Sequence, residues 1–408
     1  MSTTPAVQLP PNVDPALVRE FDLYQTSAQD GDYHTWYHDT YQASDTPEIF
    51  WTRANGGHWV STRGEDFVHF ISASDLYSSS INVVPRERNF GVRVVPLNMD
   101  PPEHTKYRAL FTGAFSPKNV MPLGESARKL TIELVEGFHA KGGCEFMAEF
   151  AYRLPIAIFM NMVGIPDSER EKLLPLVEGV VRPANPDDRS PFLALAGYAM
   201  QTIQARRANP GTDLLSQLVQ AQVDGKPLTD EELVGMLLLL LLGGLDTVAA
   251  SLGYITRYLA RNPRVRHQLK AQLEQQPASA QAVIEELFRR FPVSTLVRVV
   301  TRDHDYKGIS FRAGDLVCCY TGAHSLDHRQ FPNSLDADLS RKVTYHGGFG
   351  NGPHRCLGSM LARVEIKVFL EEWLKRIPDF DVAPDAQLRT LPGLVVALEA
   401  LPLQWTVA

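Results

Sequence analysis

The sequence predicts a mainly α-helical protein with small β-sheets, and three observations support that class. Helical spacing of apolar residues dominates the chain from about Pro117 onward. A long apolar helix is predicted from about Thr229 to Arg261, because Thr229 and the three acids after it form a capped acidic first turn, and Asn262-Pro263 ends the pattern. Segments with strand character are short and widely separated.

The predicted elements follow one another in a simple order. The first forty or so residues are proline-rich and irregular, and the turn signal Asn55-Gly56-Gly57 then separates two short strands at 48–52 and 58–62. Helices are predicted over 120–139, 144–163, 167–180 and 191–208, with a three-proline loop at 182–191. After the long helix we expect strands at 296–300 and 316–320, a helix at 357–376, and hairpin strands near 394–398 and 404–407.

Composition narrows the class of protein. The 408 residues are 44% hydrophobic and carry a net charge of −7, which fits a globular protein with an ample core and argues against a general nucleic-acid binder. Four cysteines without regular spacing indicate a reducing compartment and no disulfide framework. The N-terminus lacks the pattern of a signal peptide, and the most apolar stretch, 233–245, is shorter than the roughly 18 to 20 residues of a spanning helix. We therefore expect a cytoplasmic protein with no membrane anchor.

One cysteine has a distinctive setting. Cys356 lies between a turn that contains Gly350 and Gly352 and a helical pattern that follows directly. A thiolate there would lie at a helix N-terminus, where backbone N–H groups stabilise negative charge, and the glycines allow a bulky group to approach closely. These features suit a thiolate that ligates a metal beneath a flat cofactor. The alternative is a buried structural cysteine in a glycine-rich loop.

The spacing F-x-x-G-x-x-x-C-x-G, from Phe349 to Gly358, resembles the haem-binding loop of cytochromes P450, whose cysteine thiolate is the axial iron ligand. The resemblance covers nearly the whole chain and is strongest to the bacterial camphor-hydroxylase branch. Its other similar stretches are 51–59, 99–103, 243–247, 285–291 and 372–380. It implies the triangular P450 fold as a single domain over 1–408, a haem b cofactor, and iron ligation by Cys356.

Two further motifs gain meaning from this resemblance. Glu286 and Arg289 lie at i and i+3 on a predicted helix, 70 residues before Cys356 as counted from the glutamate. Alone they would be a solvated surface pair, but their order and distance resemble the P450 E-x-x-R ion pair that braces the haem loop, with Arg341 as a third member.

The second motif is Gly243-Gly244-Leu245-Asp246-Thr247, where two glycines weaken the long helix before an acid and an alcohol. It resembles the acid–alcohol pair of the P450 central helix, which manages oxygen and proton delivery, so Asp246 and Thr247 are the candidate catalytic residues. The alternative is a glycine pair that permits close helix packing, with Asp246 paired to a distant arginine.

The resemblance also implies the haem contacts and the substrate pocket. Two propionates in an apolar cavity need charged donors, and the matching positions are Arg108, Arg298 and His354, with His104 assisting. In the pocket, Val92 takes the position of the tyrosine that hydrogen-bonds the ketone of camphor. The other lining positions are Val83, Leu97, Leu239, Leu242, Ser294, Leu394 and Val395. Camphor is therefore predicted to be a poor substrate, and a larger apolar terpenoid or ionone-like norisoprenoid a better one, unless a polar group such as Ser294 restores the lost hydrogen bond.

Electrons must come from a partner, because the chain has neither a G-x-G-x-x-G fingerprint nor a cysteine cluster for iron–sulfur. The resemblance implies O2 as co-substrate, a [2Fe–2S] ferredoxin fed by an NAD(P)H-dependent reductase, and a monomeric enzyme. Arg355, Lys342 and Lys106 are candidate docking charges, and ordinary solvated charges are an equal alternative.

Three other functions would account for only part of these features. A haem-thiolate peroxygenase would use peroxide, whereas Asp246-Thr247 favours oxygen. A haem-thiolate sensor would not need that pair, and a terpenoid carrier would not need Cys356. His324, Asp327 and His328 have metal-like spacing, but the pattern lacks the glutamate of H-E-x-x-H, so zinc is not expected.

Overall fold

The computed structural model describes residues 7–42, 45–89, 91–185 and 188–407. Its α-helices are α1 Tyr33–Tyr41, α2 Gly64–Ser72, α3 Glu103–Thr112, α4 Pro117–Val120, α5 Leu123–His139, α6 Arg153–Val163, α7 Arg170–Val181, α8 Ser190–Ala208, α9 Leu214–Gln220, α10 Asp230–Gly244, α11 Thr247–Arg261, α12 Pro263–Gln275, α13 Ala280–Arg290, α14 Gly322–Ser325 and α15 Ser359–Arg376. The predicted class, mainly α-helical with small β-sheets, is confirmed.

The strands form small separate sheets. They are β1 Ile49–Thr52, β2 His58–Ser61, β3 Tyr77–Ser78, β4 Gly143–Glu145, β5 Gln222–Val223, β6 Lys226–Pro227, β7 Thr295–Val300, β8 His304–Tyr306, β9 Ile309–Phe311, β10 Leu316–Tyr320, β11 Asp381–Val382, β12 Thr390–Leu391, β13 Ala397–Leu398 and β14 Pro402–Gln404. The largest sheet has the order β1-β2-β10-β7-β3, and within it only the β2–β10 pair is parallel. A second sheet has the order β11-β14-β4.

The long apolar helix is two helices. A capping box between Thr229 and Glu232 starts α10, as the sequence indicated. The helical pattern is interrupted at Leu245-Asp246, and α11 resumes at Thr247. By length and composition the stretch Asp230–Arg261 could cross a membrane, yet 67% of its most apolar window is buried inside the protein, as in the core helix of a soluble protein.

Several predicted bounds are wrong, and the reasons are non-local. The helix predicted over 144–163 begins with strand β4 and a π-turn at Met147–Ala151, because Gly143–Glu145 pairs with β14. The two C-terminal strands do not form a hairpin with each other, since β13 pairs with β12 and β14 lies between β11 and β4.

Helices α1, α2 and α3 lie in the part of the chain where the sequence pattern predicts no helix. Helix α1 shows why it was missed. Its sequence YHTWYHDTY consists of weak helix formers, so local propensity gives little signal. Aromatic packing compensates: Tyr37 lies 4.6 Å from Tyr320 and His34 lies 4.6 Å from Tyr254, measured between ring centroids. Residues 1–6, 186 and 187, which belong to the predicted irregular N-terminus and the three-proline loop, lie outside the described residues.

Candidate active site

The cysteine loop is folded so that its sulfur faces an interior cavity. The backbone N–H of Cys356 donates to the Phe349 carbonyl at 2.8 Å, which closes the loop, and α15 begins at Ser359 just beyond it. Gly352 has a φ of +64°, and a Cβ there would lie 3.0 Å from the Ser72 backbone, so the turn requires glycine. Burial raises the pKa of the Cys356 thiol, while the Gly358 N–H works to lower it. A bound cation would favour the thiolate at this position.

Aromatic and ionic contacts hold the cysteine loop against the neighbouring helices. The ring of Phe349 lies 4.6 Å from that of Phe288, and the Arg363 guanidinium lies 4.4 Å above it. Glu285 accepts hydrogen bonds from Arg363 at 2.5 Å and from His346 at 3.1 Å. The loop that carries Cys356 is therefore fastened to both α13 and α15.

Glu286 and Arg289 form a fully buried ion pair, with contacts of 2.6 and 2.8 Å. Arg289 also donates to the carbonyls of Ser325, Ser334 and Asp336. Arg341 donates to Glu286 at 3.2 Å, so the three predicted members do meet. Because both principal side chains are inaccessible to water, the solvated surface pair is ruled out for this motif.

One cavity of about 400 Å³ adjoins the cysteine loop. All eight predicted pocket positions line it, as do Thr247, Cys356 and the four predicted propionate contacts; the pocket positions are Val83, Val92, Leu97, Leu239, Leu242, Ser294, Leu394 and Val395. Tertiary folding therefore assembles these separate stretches of sequence around a single space.

The predicted propionate contacts fit two carboxylates. His104 and His354 lie side by side with ring centroids 4.2 Å apart, and the Nε2 atom of each is buried without a hydrogen-bond partner among the described residues. Among the described residues, Arg298 is buried and bonds only to the Val297 carbonyl, and Arg108 bonds to the Arg355 carbonyl. Burial, and then the nearby Arg298, lower the pKa of His354 to about 3. Two arginines and two orphaned imidazole nitrogens around one space are suited to bind the two propionates of a haem.

The break between α10 and α11 has features of both interpretations of its sequence, the catalytic acid–alcohol pair and the glycine pair for close helix packing. A Cβ at Gly244 would come within 2.6 Å of the Phe159 ring, so this glycine does permit close packing. Asp246 is fully buried and is paired with Arg182, whose Nη2 lies 2.8 Å from Oδ1. Asp246 does not line the cavity, whereas Thr247 does, and its hydroxyl donates to the Gly243 carbonyl at 3.0 Å. The role of Asp246 in proton delivery stays a prediction, and any such role must involve its arginine partner.

Sequence reasoning missed three residues of this region. Arg182 was placed in a loop, and its pairing with Asp246 across 64 positions leaves no local signal. Arg88 is buried and lines the cavity. Glu365 also lines the cavity, and burial raises its pKa well above the usual range. Of these three, only Glu365 could have been found from the sequence. The helical periodicity of the segment after Cys356 places this glutamate on the inner face of the helix.

Other candidate sites do not have the required geometry. Asp327 accepts from the Gly64 N–H at 2.9 Å, and no metal cluster forms at 324–328 among the described residues. Glu48, Glu65 and Asp66 do converge, but the Lys307 ammonium ion-pairs with all three. The four cysteines are free.

Of the candidate docking charges, Arg355 and Lys342 are exposed, while Lys106 is paired with Asp224 at 2.5 Å.

Comparison with known proteins agrees with this geometry. The family model for cytochrome P450 matches residues 194–407. A probable cytochrome P450 127A1 of Sinorhizobium fredii is 33% identical over 97% of both chains. The mycinamicin IV hydroxylase/epoxidase of Micromonospora griseorubida is 32% identical over 85% of this chain and 89% of its own. Crystal structures of CYP101J2 and cytochrome P450 CYP101C1 have TM-scores of 0.88 and 0.87, at 34% and 32% identity, and each match covers 98% of this chain and 100% of the other.

Three features lie beside one cavity: a cysteine loop suited to a thiolate, two arginines and two histidines that can bind propionates, and a break in the central helix. Together they define a haem-thiolate protein. The chain belongs to the cytochrome P450 family: it is a bacterial P450 monooxygenase with the P450 fold and a haem-thiolate cofactor. The family, fold, enzyme class and cofactor predicted from the sequence are confirmed.

Proposed function

We propose that this monooxygenase hydroxylates an unactivated C–H bond of a small, mainly apolar terpenoid or ionone-like norisoprenoid. The observation that carries the proposal is the wall of the cavity. Its described lining is dominated by aliphatic and aromatic side chains and includes Val92. By the sequence resemblance, Val92 takes the position of the tyrosine that hydrogen-bonds the ketone of camphor. An apolar wall binds by area rather than by directed hydrogen bonds, so shape and size select the substrate.

The similar proteins support an apolar substrate class without fixing its identity. Among them are the mycinamicin IV hydroxylase/epoxidase, and a steroid C26-monooxygenase of Mycobacterium tuberculosis that is 32% identical over 87% of this chain and 92% of its own. The steroid in the name of the second protein is a largely hydrocarbon compound.

The residues have distinct roles in this proposal. Haem held by Cys356 supplies oxygen activation and the hydroxylating chemistry. Thr247 lines the cavity and positions dioxygen and a proton through its hydroxyl. Asp246, one residue earlier, would relay protons towards the oxygen site, and Arg182 holds its carboxylate in place. The apolar wall excludes bulk water from the reacting carbon.

Electrons come from outside the chain. We propose a [2Fe–2S] ferredoxin and its NAD(P)H-dependent reductase as donors, with docking near the exposed Arg355 and Lys342. Lys106 contributes less positive charge because it is already paired with Asp224. The enzyme would act as a single-domain monomer in the cytoplasm.

A ligand panel tests the substrate class. Purified haem-loaded protein is titrated with camphor, α- and β-ionone and linear terpenoids, and the low- to high-spin shift is recorded. We expect ionones or related terpenoids to bind more tightly than camphor. A tight, fully high-spin camphor complex would contradict the proposal. Turnover with ferredoxin and reductase, compared with turnover on hydrogen peroxide alone, tests the electron source, and faster hydroxylation with peroxide alone would favour a peroxygenase.

A further inference from the structure

The substrate cavity contains a positive charge that the haem contacts do not use. Three arginines line the cavity, Arg88, Arg108 and Arg298, and the one carboxyl group in its described wall is that of Glu365, whose Oε1 has no hydrogen-bond partner among the described residues. The two propionates of a haem account for Arg108 and Arg298. Among the described residues, Arg88 is left without a counter-charge.

Arg88 is held firmly. Only 5% of it is accessible, and it lies at the end of the short 3₁₀ turn Arg86–Arg88. Its Nη2 donates to the Val180 carbonyl at 2.6 Å, and its Nη1 donates to the Tyr24 hydroxyl. Tyr24 in turn donates to the Val84 carbonyl at 2.6 Å. The guanidinium is therefore fixed in position by neutral acceptors.

No anion among the described residues neutralises this guanidinium. In the part of the chain that the structure describes, Arg88 has no carboxylate partner, and its Nε is buried without any hydrogen-bond partner. Tyr24 stays a neutral phenol, because burial raises its pKa to about 12 although Arg88 works to lower it.

Two other buried arginines each have a carboxylate partner. Arg289 pairs with Glu286 at 2.6 Å, and Arg182 pairs with Asp246. An unpaired charge in an apolar wall is costly unless a ligand compensates it.

We propose that Arg88 anchors a carboxylate of the substrate, so that the preferred substrate is a terpenoid acid rather than a neutral terpenoid. This inference rests on the proposed oxidation of an apolar molecule in this cavity and adds the group that orients it. One carboxylate offers a single negative charge and two acceptor oxygens to a guanidinium that has donated only to neutral oxygens among the described residues. The hydrocarbon part then extends along the apolar wall that includes Val83 and Val92.

The test compares matched acids and alcohols on the haem-loaded protein by calorimetry at pH 7. The pairs are geranic acid with geraniol, and decanoic acid with decanol. A charged hydrogen bond contributes enough for about 10- to 100-fold tighter binding of an acid than of its alcohol. Arg88→Met should abolish that preference. Arg86→Met is the matched control, because it removes the same charge from the same turn at an exposed position, and it should leave the preference unchanged.

The outcomes test the role of Arg88 and the terpenoid class separately. An acid preference in the geranyl pair supports both. An acid preference confined to the decanoyl pair supports the role of Arg88 and contradicts the terpenoid class. Equal binding or no binding in both pairs overturns the role of Arg88, as does an acid preference that survives Arg88→Met. The comparison on the unmodified protein needs no variant, so a misfolded Arg88→Met protein does not prevent the test.

Discussion

The buried ion pair behind the cysteine loop permits a quantitative prediction for Glu286→Gln. The Glu286 carboxylate accepts from Arg289 at 2.6 and 2.8 Å, from the Asp338 N–H at 2.9 Å and from Arg341 at 3.2 Å. Glutamine keeps the shape but removes the charge and replaces one acceptor oxygen with a donor. The Arg289 guanidinium then stays buried without its counter-charge.

The expected loss follows from that burial. Removing one partner of a buried ion pair costs about 3–5 kcal/mol. Unfolding entropy is about 2.1 cal/mol/K per residue, which for a chain of 408 residues is about 0.9 kcal/mol/K. The melting temperature should therefore fall by about 3–6 °C.

Thermal unfolding of the haem-loaded protein, followed by far-ultraviolet circular dichroism, measures this effect. The control is Glu274→Gln, which removes the same carboxylate from a solvated i,i+4 pair with Lys270 whose side chains are 54% and 30% exposed. A pair of that kind is worth about 0.3–0.5 kcal/mol, so the control should melt within about 1 °C of the unmodified protein. Equal melting temperatures for Glu286→Gln and the unmodified protein would refute the reasoning.

Three further predictions concern coupling, specificity and acid stability. Thr247→Ala should divert reducing equivalents to hydrogen peroxide, measured as peroxide formed per NAD(P)H oxidised; unchanged coupling would remove Thr247 from oxygen handling. Val92→Tyr should tighten camphor binding about fivefold, the worth of a hydrogen bond of about 1 kcal/mol, in a spectral titration; unaltered affinity would contradict the pocket alignment. Burial works to raise the pKa of Glu285, but hydrogen bonds from Arg363 and His346 bring it down to about 2. Its stabilising contribution is therefore present above pH 4.5 and is lost as pH falls towards 2. In denaturant titrations, the free energy of unfolding of Glu285→Gln should therefore fall less between pH 4.5 and pH 2 than that of the unmodified protein. An equal fall in both proteins would count against this role.

Local features of the fold and site were predictable from the sequence. The cap at Thr229 and the strand Leu316–Tyr320 appear where the pattern placed them. The loop around Cys356 was recognisable because its glycines and its cysteine are close in sequence. Caps, turns and strand periodicity depend on neighbouring residues, so a short window contains the necessary information.

Partnerships between distant elements were not predictable. The hairpin expected at the C-terminus is absent because β14 pairs with β4, more than 250 residues away. Helix α1 forms despite weak propensity because its aromatic face packs against Tyr320 and Tyr254. In both cases tertiary contacts outweigh the local preference of the segment.

The sequence by itself determined the chemistry of this protein: the thiolate loop, the acid–alcohol pair and the E-x-x-R motif identify a P450 without coordinates. Only the tertiary structure decided how those groups are paired and which charges face the substrate. It buries Asp246 against Arg182, and it places Arg88 in the cavity wall without a carboxylate partner in the described chain. The physical reason is that a motif is a short-range arrangement of residues, whereas the balance of charge in a cavity is set by elements that meet only when the chain folds.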